Sequence, residues 1–267
     1  VVARSRTESV LARRLAAGSS GRQPDELIVE EPLAIWLDDA QVSSTMRTPG
    51  HDFELAAGFL HGEGALAGQP VTGIRYCGTG AATESDFNVV TVETGGRAPT
   101  PTARLGSISS SCGLCGADAI AQLTERLHLL GPYPPWDLDL LLSLPTRLRD
   151  HQPLFDTTGG VHAAAAVDRS GELVVVREDI GRHNAVDKVV GRLLLDGALP
   201  ATDLALVVSG RGSFEMVQKA WAGGFTALVA VSAPSALAVA TARRAGLTLV
   251  GFARGGAGNL YSPAELA

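Results

Sequence analysis

Two cysteines three residues apart, Cys112 and Cys115, stand in Ser109-Ser110-Ser111-Cys112-Gly113-Leu114-Cys115-Gly116, just ahead of a stretch in which Ile120 and Leu123 recur at helical spacing. That spacing predicts a helix over about 117–130 with both thiols at or near its N-terminus. The helix dipole and the free N–H groups there favour a thiolate, which is the nucleophilic form of cysteine. Such a thiolate can attack a persulfide sulfur on a donor protein and take the terminal sulfur onto itself. A C-x-x-C also suits a structural zinc site, a thioredoxin-like redox pair or two inert buried cysteines. Zinc calls for a second pair or well-spaced histidines, and the chain offers Cys77 and scattered histidines. A thioredoxin-like pair sits between an early strand and its crossover helix. A setting rich in glycine and serine fits an inert buried pair poorly.

A second constellation is Arg177-Glu178-Asp179-Ile180-Gly181-Arg182-His183-Asn184-Ala185-Val186-Asp187-Lys188. It packs charge, with His183 and Asn184, into the junction between a predicted strand and a predicted helix. Arg182 and His183 fall where anion-binding donors would converge, and a solvated helix start is the plainer alternative. His162-Ala163-Ala164 invites comparison with the H-x-E of zinc deaminases, but the glutamate is missing, and the C-x-x-C lies upstream of the histidine and follows serine. Deaminase chemistry is therefore not expected.

Two contrasting halves must position these groups. The first reads as short strands, 27–30, 33–37, 42–46, 71–76 and 87–92, with one helix opening after Thr48-Pro49-Gly50-His51-Asp52 and stopping at Gly62. The segment around Pro99-Thr100-Pro101 is the candidate linker. After the 117–130 helix, a Pro-interrupted helical stretch over 138–150 leads into a predicted antiparallel hairpin, 161–167 and 173–177, around Asp168-Arg169-Ser170-Gly171. A helix, then strand 204–208, helix 214–222, strand 227–231, helix 236–245 and strand 247–252 follow, which predicts a largely parallel sheet with helices on its faces. Ligands in such sheets bind beyond the carboxyl ends of the strands. Three loops leave that edge: Ser209-Gly210-Arg211-Gly212-Ser213, Ser232-Ala233-Pro234-Ser235 and Ala253-Arg254-Gly255-Gly256-Ala257-Gly258. Glycines there let the backbone approach an anion, the first two loops lead into helix N-termini, and Arg211 and Arg254 add charge.

The chain has 267 residues, 45% of them hydrophobic, enough for one large domain or two modest ones. Its net charge of -6 argues against a duplex-binding protein. Three cysteines are too few for a disulfide framework, and no apolar run approaches a membrane span, so the reading is a cytoplasmic globular protein. Residues 1–22, with Arg4, Arg6, Arg13, Arg14 and Arg22, read as a flexible, frayed tail. The expected organisation is that tail, a smaller strand-rich domain over 23–103, and an α/β domain over 104–267, α+β overall.

Six segments in order, TPGHDFELAAGFLHGEG (48–64), SSCGLCG (110–116), HAAA (162–165), REDIGRHNAVDKVVG (177–191), SGRGSFEMVQKA (209–220) and VGFARGGAGNLY (250–261), resemble the FdhD family of formate dehydrogenase accessory sulfurtransferases. The resemblance implies a three-layer, cytidine deaminase-like C-terminal domain without catalytic zinc. It implies that a cysteine desulfurase supplies sulfur as a persulfide on Cys112, with Cys115 assisting or resolving. The sulfur would pass to bis-molybdopterin guanine dinucleotide, a bound substrate destined for formate dehydrogenase. The family's cofactor-binding stretch matches Phe252, Ala253, Arg254, Gly255, Gly256 and Ala257. Ser209, Arg211, Ser213, Arg182 and His183 would support it, and GDP-like nucleotides would suit the same pocket. A homodimer would suit a cofactor with two guanine ends. The rival reading is a chaperone that holds the cofactor without sulfur chemistry.

Overall fold

A computed structural model describes residues 4–16, 19–77, 85–100, 127 and 129–263. Cys112 and Cys115, the 103/104 domain boundary and nearly all of the helix expected over 117–130 lie outside the described residues.

The chain opens with β1 (Thr7–Ala16) and β2 (Ser19–Ile28), paired antiparallel over ten residues each. This corrects the expectation of a frayed tail over 1–22. The ribbon is held at its base: the Val29 N–H donates to the Arg6 carbonyl at 2.9 Å, while Arg4 pairs with Glu31 at 2.6 Å and donates to Asn88 at 2.8 Å. Backbone pairing and two basal arginines order a segment that its composition alone would leave loose.

A four-stranded sheet follows, in the order β4-β3-β6-β5, from β3 (Glu31–Leu37), β4 (Ala40–Arg47), β5 (Gly73–Arg75) and β6 (Val89–Glu93). Alternation along β3 turns Leu33, Ile35 and Leu37 inward. Helix α1 (Asp52–Gly62) covers that face with Leu55 and Leu60, which pack with Val90 and Val92.

The larger sheet has the order β12-β11-β10-β9-β7-β8. It comprises β7 (His162–Asp168), β8 (Leu173–Asp179), β9 (Leu204–Val208), β10 (Ala227–Ala230), β11 (Thr248–Arg254) and β12 (Ala257–Ser262). On one face lies α2 (Leu138–Arg149), followed by the short α3 (Pro153–Thr158), which contacts β2; on the other face lie α4 (Arg182–Leu195), α5 (Phe214–Ala222) and α6 (Ala236–Ala245). Ala164 and Ala166 face the α4–α6 layer while Ala163, Ala165 and Val167 face α2, so this part of the chain has three layers and buries the sheet on both sides. Only β9, β10 and β11 run parallel; β7, β8 and β12 are antiparallel to their neighbours, which makes the sheet less parallel than expected.

The two halves meet where α1 crosses α4. A Cβ on Gly58 would overlap the Asp187 carbonyl, and one on Gly191 would overlap the Glu54 carbonyl, so each glycine lets the other helix's backbone approach. Among the described residues no helix is long and apolar enough to cross a membrane.

Candidate functional site

Strands β9, β10 and β11 end at one edge, and the segments beyond them are laced together by backbone hydrogen bonds. Ser232 donates to Gly210 at 3.1 Å, Gly212 to Ala233 at 3.2 Å, Ser235 to Gly212 at 3.2 Å and Phe252 to Ser232 at 3.1 Å. The third segment is not the six-residue loop expected from composition. Residues Phe252, Ala253 and Arg254 finish β11, Ala257 begins β12, and only Gly255 and Gly256 turn, both at positive φ. Two successive residues of that geometry suit a tight hairpin whose twist matches the strands. Within β11 the pairing slips between Gly251 and Arg254, and Phe252 takes φ 55. A left-handed aromatic is strained, and this one is also 41% exposed, at the position expected to meet ligand.

A cavity of about 650 Å³ opens at this edge, with a wall that includes Ser209, Arg254 and Gly255 from the strand ends, His162 from the start of β7, and Leu148 and Gln152 from the helical layer. Three of the expected site residues thus share one cavity. The Ser209 hydroxyl is already engaged, accepting from the Ala163 N–H at 2.9 Å, so it shapes the wall more than it offers a free donor. Ser213 is the N-cap of α5 but makes no capping bond, and its buried Oγ has no partner among the described residues. Arg211 and Arg254 are exposed. Arg211, Ser213, Phe252, Ala253, Gly256, Ala257, Arg182 and His183 do not line the cavity, and Ala253 is fully buried.

His162 is the site residue that sequence reasoning passed over, because it was weighed only against the deaminase pattern. Burial, reinforced by Arg182 and His183, pushes its pKa below the ordinary histidine value and so favours the neutral imidazole. Its signal was positional: it opens the strand whose next residue, Ala163, is bonded to Ser209.

The charged stretch 177–188 behaves differently from the ligand cluster expected of it. Lys188 and Asp179 form a 2.6 Å ion pair with both side chains fully buried. Lys188 also donates to the Thr48 carbonyl at 3.0 Å, and Asp179 accepts from the Thr48 N–H at 3.2 Å and from Asn184 at 2.9 Å. Asp187 pairs with Lys219 at 2.6 Å, and Arg177 donates to Glu54 at 2.8 Å. Burial alone would raise the Glu54 pKa, but hydrogen bonds and charge from Arg177 and His51 outweigh it and bring it down to about 2. Two sequence motifs, 48–64 and 177–191, are therefore largely spent on each other. Arg182 and His183 sit half-buried in the first turn of α4, and His183 lies 3.9 Å from Glu215.

The sequence profile of the FdhD/NarQ family matches residues 28–266, which spans both halves and leaves out β1 and nearly all of β2. This chain belongs to the FdhD/NarQ family. Relatives in the family named sulfur carrier protein FdhD include one from Streptomyces coelicolor, 49% identical with 97% of this chain and 95% of the relative covered. Another, from Streptomyces avermitilis, is 48% identical, with 96% and 94% covered. Among solved structures, a protein from Desulfotalea psychrophila described as a formate dehydrogenase accessory protein superposes with a TM-score of 0.75 at 27% identity, covering 96% of this chain and 97% of its own. For this FdhD/NarQ member, the likeness to the solved structure thus covers 96% of the chain, well beyond the six short motifs.

Proposed function

We propose that this chain carries sulfur for formate dehydrogenase maturation, taking it from a cysteine desulfurase onto Cys112 and delivering it to bis-molybdopterin guanine dinucleotide held at the carboxyl edge of β9–β11. The reading is carried by one pairing: the Cys112-Gly-Leu-Cys115 motif of this family member accompanies a preformed cavity at a glycine-rich strand edge with Arg254 among its lining residues. The names of the relatives support it. The Cys112 thiolate attacks the outer sulfur of the donor persulfide. The donor S–S bond breaks, a new S–S bond forms on Cys112, and the donor leaves as a thiolate that takes up a proton. Attack by Cys115 on the Cys112 sulfur then closes a disulfide and releases hydrosulfide for the metal end of the cofactor; a cellular dithiol reduces the disulfide before the next round. Arg211, Arg254 and the Ser213 hydroxyl would meet the pyrophosphates, with Arg182 and His183 behind them. We read the three-layer unit as cytidine deaminase-like, the compartment as the cytoplasm, and a twofold dimer as the assembly matching a cofactor with two guanine ends.

Incubation with a cysteine desulfurase and cysteine, followed by peptide mass mapping, tests the reading. A single-sulfur gain on Cys112, absent in Cys112→Ala and lost when the cofactor is supplied, is the expected outcome. Tight cofactor binding with no sulfur on either Cys112 or Cys115 would replace the carrier with a cofactor-holding chaperone.

A further inference from the structure

Gln152 is the N-cap of α3, a position from which a side chain normally accepts from the first-turn N–H groups. It makes no such bond, because Glu178 reaches across from β8 and takes both donors: its two carboxylate oxygens accept from Leu154 at 3.0 Å and Phe155 at 2.9 Å. The Gln152 amide is left only 4% exposed, with no side-chain hydrogen bond to any described residue, in the wall of the cavity. An amide that faces a cavity without a protein partner is completed there by water or by a ligand. His162 stands in the same wall, half-buried and likewise without a hydrogen bond from its ring to a described residue. Leu148, Val161 and Phe155 supply apolar wall, and Arg254 and Gly255 line the strand-end side. Flat apolar surface, a few unfilled polar groups and a cationic rim together suit a heterocycle joined to phosphate.

We propose that Gln152, seconded by His162, reads the edge of a bound heterocycle that carries a lactam, the 2-amino-4-oxopyrimidine edge that guanine and pterins share. The amide carbonyl accepts the ring N–H while the amide N–H donates to the ring oxygen, and the imidazole supplies one further donor or acceptor. This deepens the function proposed above and rests on it for the cargo. It adds two specificity-determining residues, Gln152 at the start of α3 and His162 at the start of β7, outside the glycine-rich edge. Glu178 has a positioning role, since its capping of α3 is what frees the amide.

Titration calorimetry on the full chain, with GDP, pterin-6-carboxylate and inorganic pyrophosphate as separate probes, tests this. Gln152→Leu and Gln152→Glu should each weaken GDP by about tenfold or more while pyrophosphate binding stays unchanged. The same loss for pterin-6-carboxylate, with GDP unaffected, would support the lactam reading and make the pterin its source. Wild-type affinity for both heterocycles in both variants would overturn it, and so would equal losses for GDP and pyrophosphate. Because the amide has no partner to lose, Gln152→Leu should melt no lower than the parent, and a large drop in melting temperature would count against an unfilled amide. Failure here with sulfur still loading on Cys112 removes only this inference. A Gln152 effect with no sulfur loading removes the carrier chemistry and keeps the pocket.

Discussion

The crossing of α1 with α4 and the carboxyl edge of β9–β11 are both rich in polar and charged groups, and they use them in opposite ways. At the crossing, Asp179, Lys188, Asp187, Lys219, Arg177 and Glu54 each have a charged partner. At the edge, the buried Ser213 hydroxyl has no partner among the described residues, and Gln152 and the His162 ring face the cavity without a hydrogen bond to a described residue. A satisfied buried network specifies how two elements fit, whereas unfilled groups around a cavity cost stability and are retained where a ligand fills them. The difference distinguishes a joint from a site even though both contain histidine and arginine.

Breaking the joint should have the largest effect. Lys188→Ala leaves the fully buried Asp179 carboxylate without its cation and should destabilise the chain by about 3–5 kcal/mol in a urea unfolding series. Its effect on cofactor binding should appear only through loss of folded protein. A pH series probes the same joint more gently. Since the folded Glu54 pKa lies at about 2, below its ordinary value of 4.5, its contribution is present above that ordinary value and is lost as pH falls toward 2. The melting temperature should therefore fall over that interval, and Glu54→Gln should flatten the decline while lowering stability at neutral pH. At the edge the pattern should invert. Arg254→Ala removes an exposed cation and should change unfolding free energy by less than about 0.5 kcal/mol, while weakening GDP binding measurably in calorimetry. An Arg254→Ala chain that unfolds easily, or a Lys188→Ala chain that stays folded but loses GDP, would erase the distinction.

Three elements of the second half are legible in the sequence: β9, α5 and α6 run where apolar periodicity and caps predict them, and Ser235 caps α6 by accepting from the Ala238 N–H, whereas α3 and β12 went unread. Local signals suffice there because each strand is a short apolar run and each helix has a clear start. The N-terminal ribbon was illegible, since what orders it is pairing between 7–16 and 19–28 and contacts from Arg4 to Glu31 and Asn88. The hairpin at Gly255–Gly256 read as a loop because glycine composition marks a turn without stating how far the strands extend on either side.

By itself, the sequence determined the chemical groups available and the glycine-rich segments that follow β9, β10 and β11. A C-x-x-C, glycines beyond consecutive strands, and the strand–helix alternation are all local features. Which charges are structural and which groups stay unfilled was decided only by the tertiary structure. Arg182 and His183 share one stretch with Asp179, Asp187 and Lys188, and nothing local separates those that turn inward from those that do not. Gln152 was silent for the same reason. Its amide is unfilled because Glu178, 26 residues away on another element, caps α3 in its place through two hydrogen bonds that only the tertiary fold brings together.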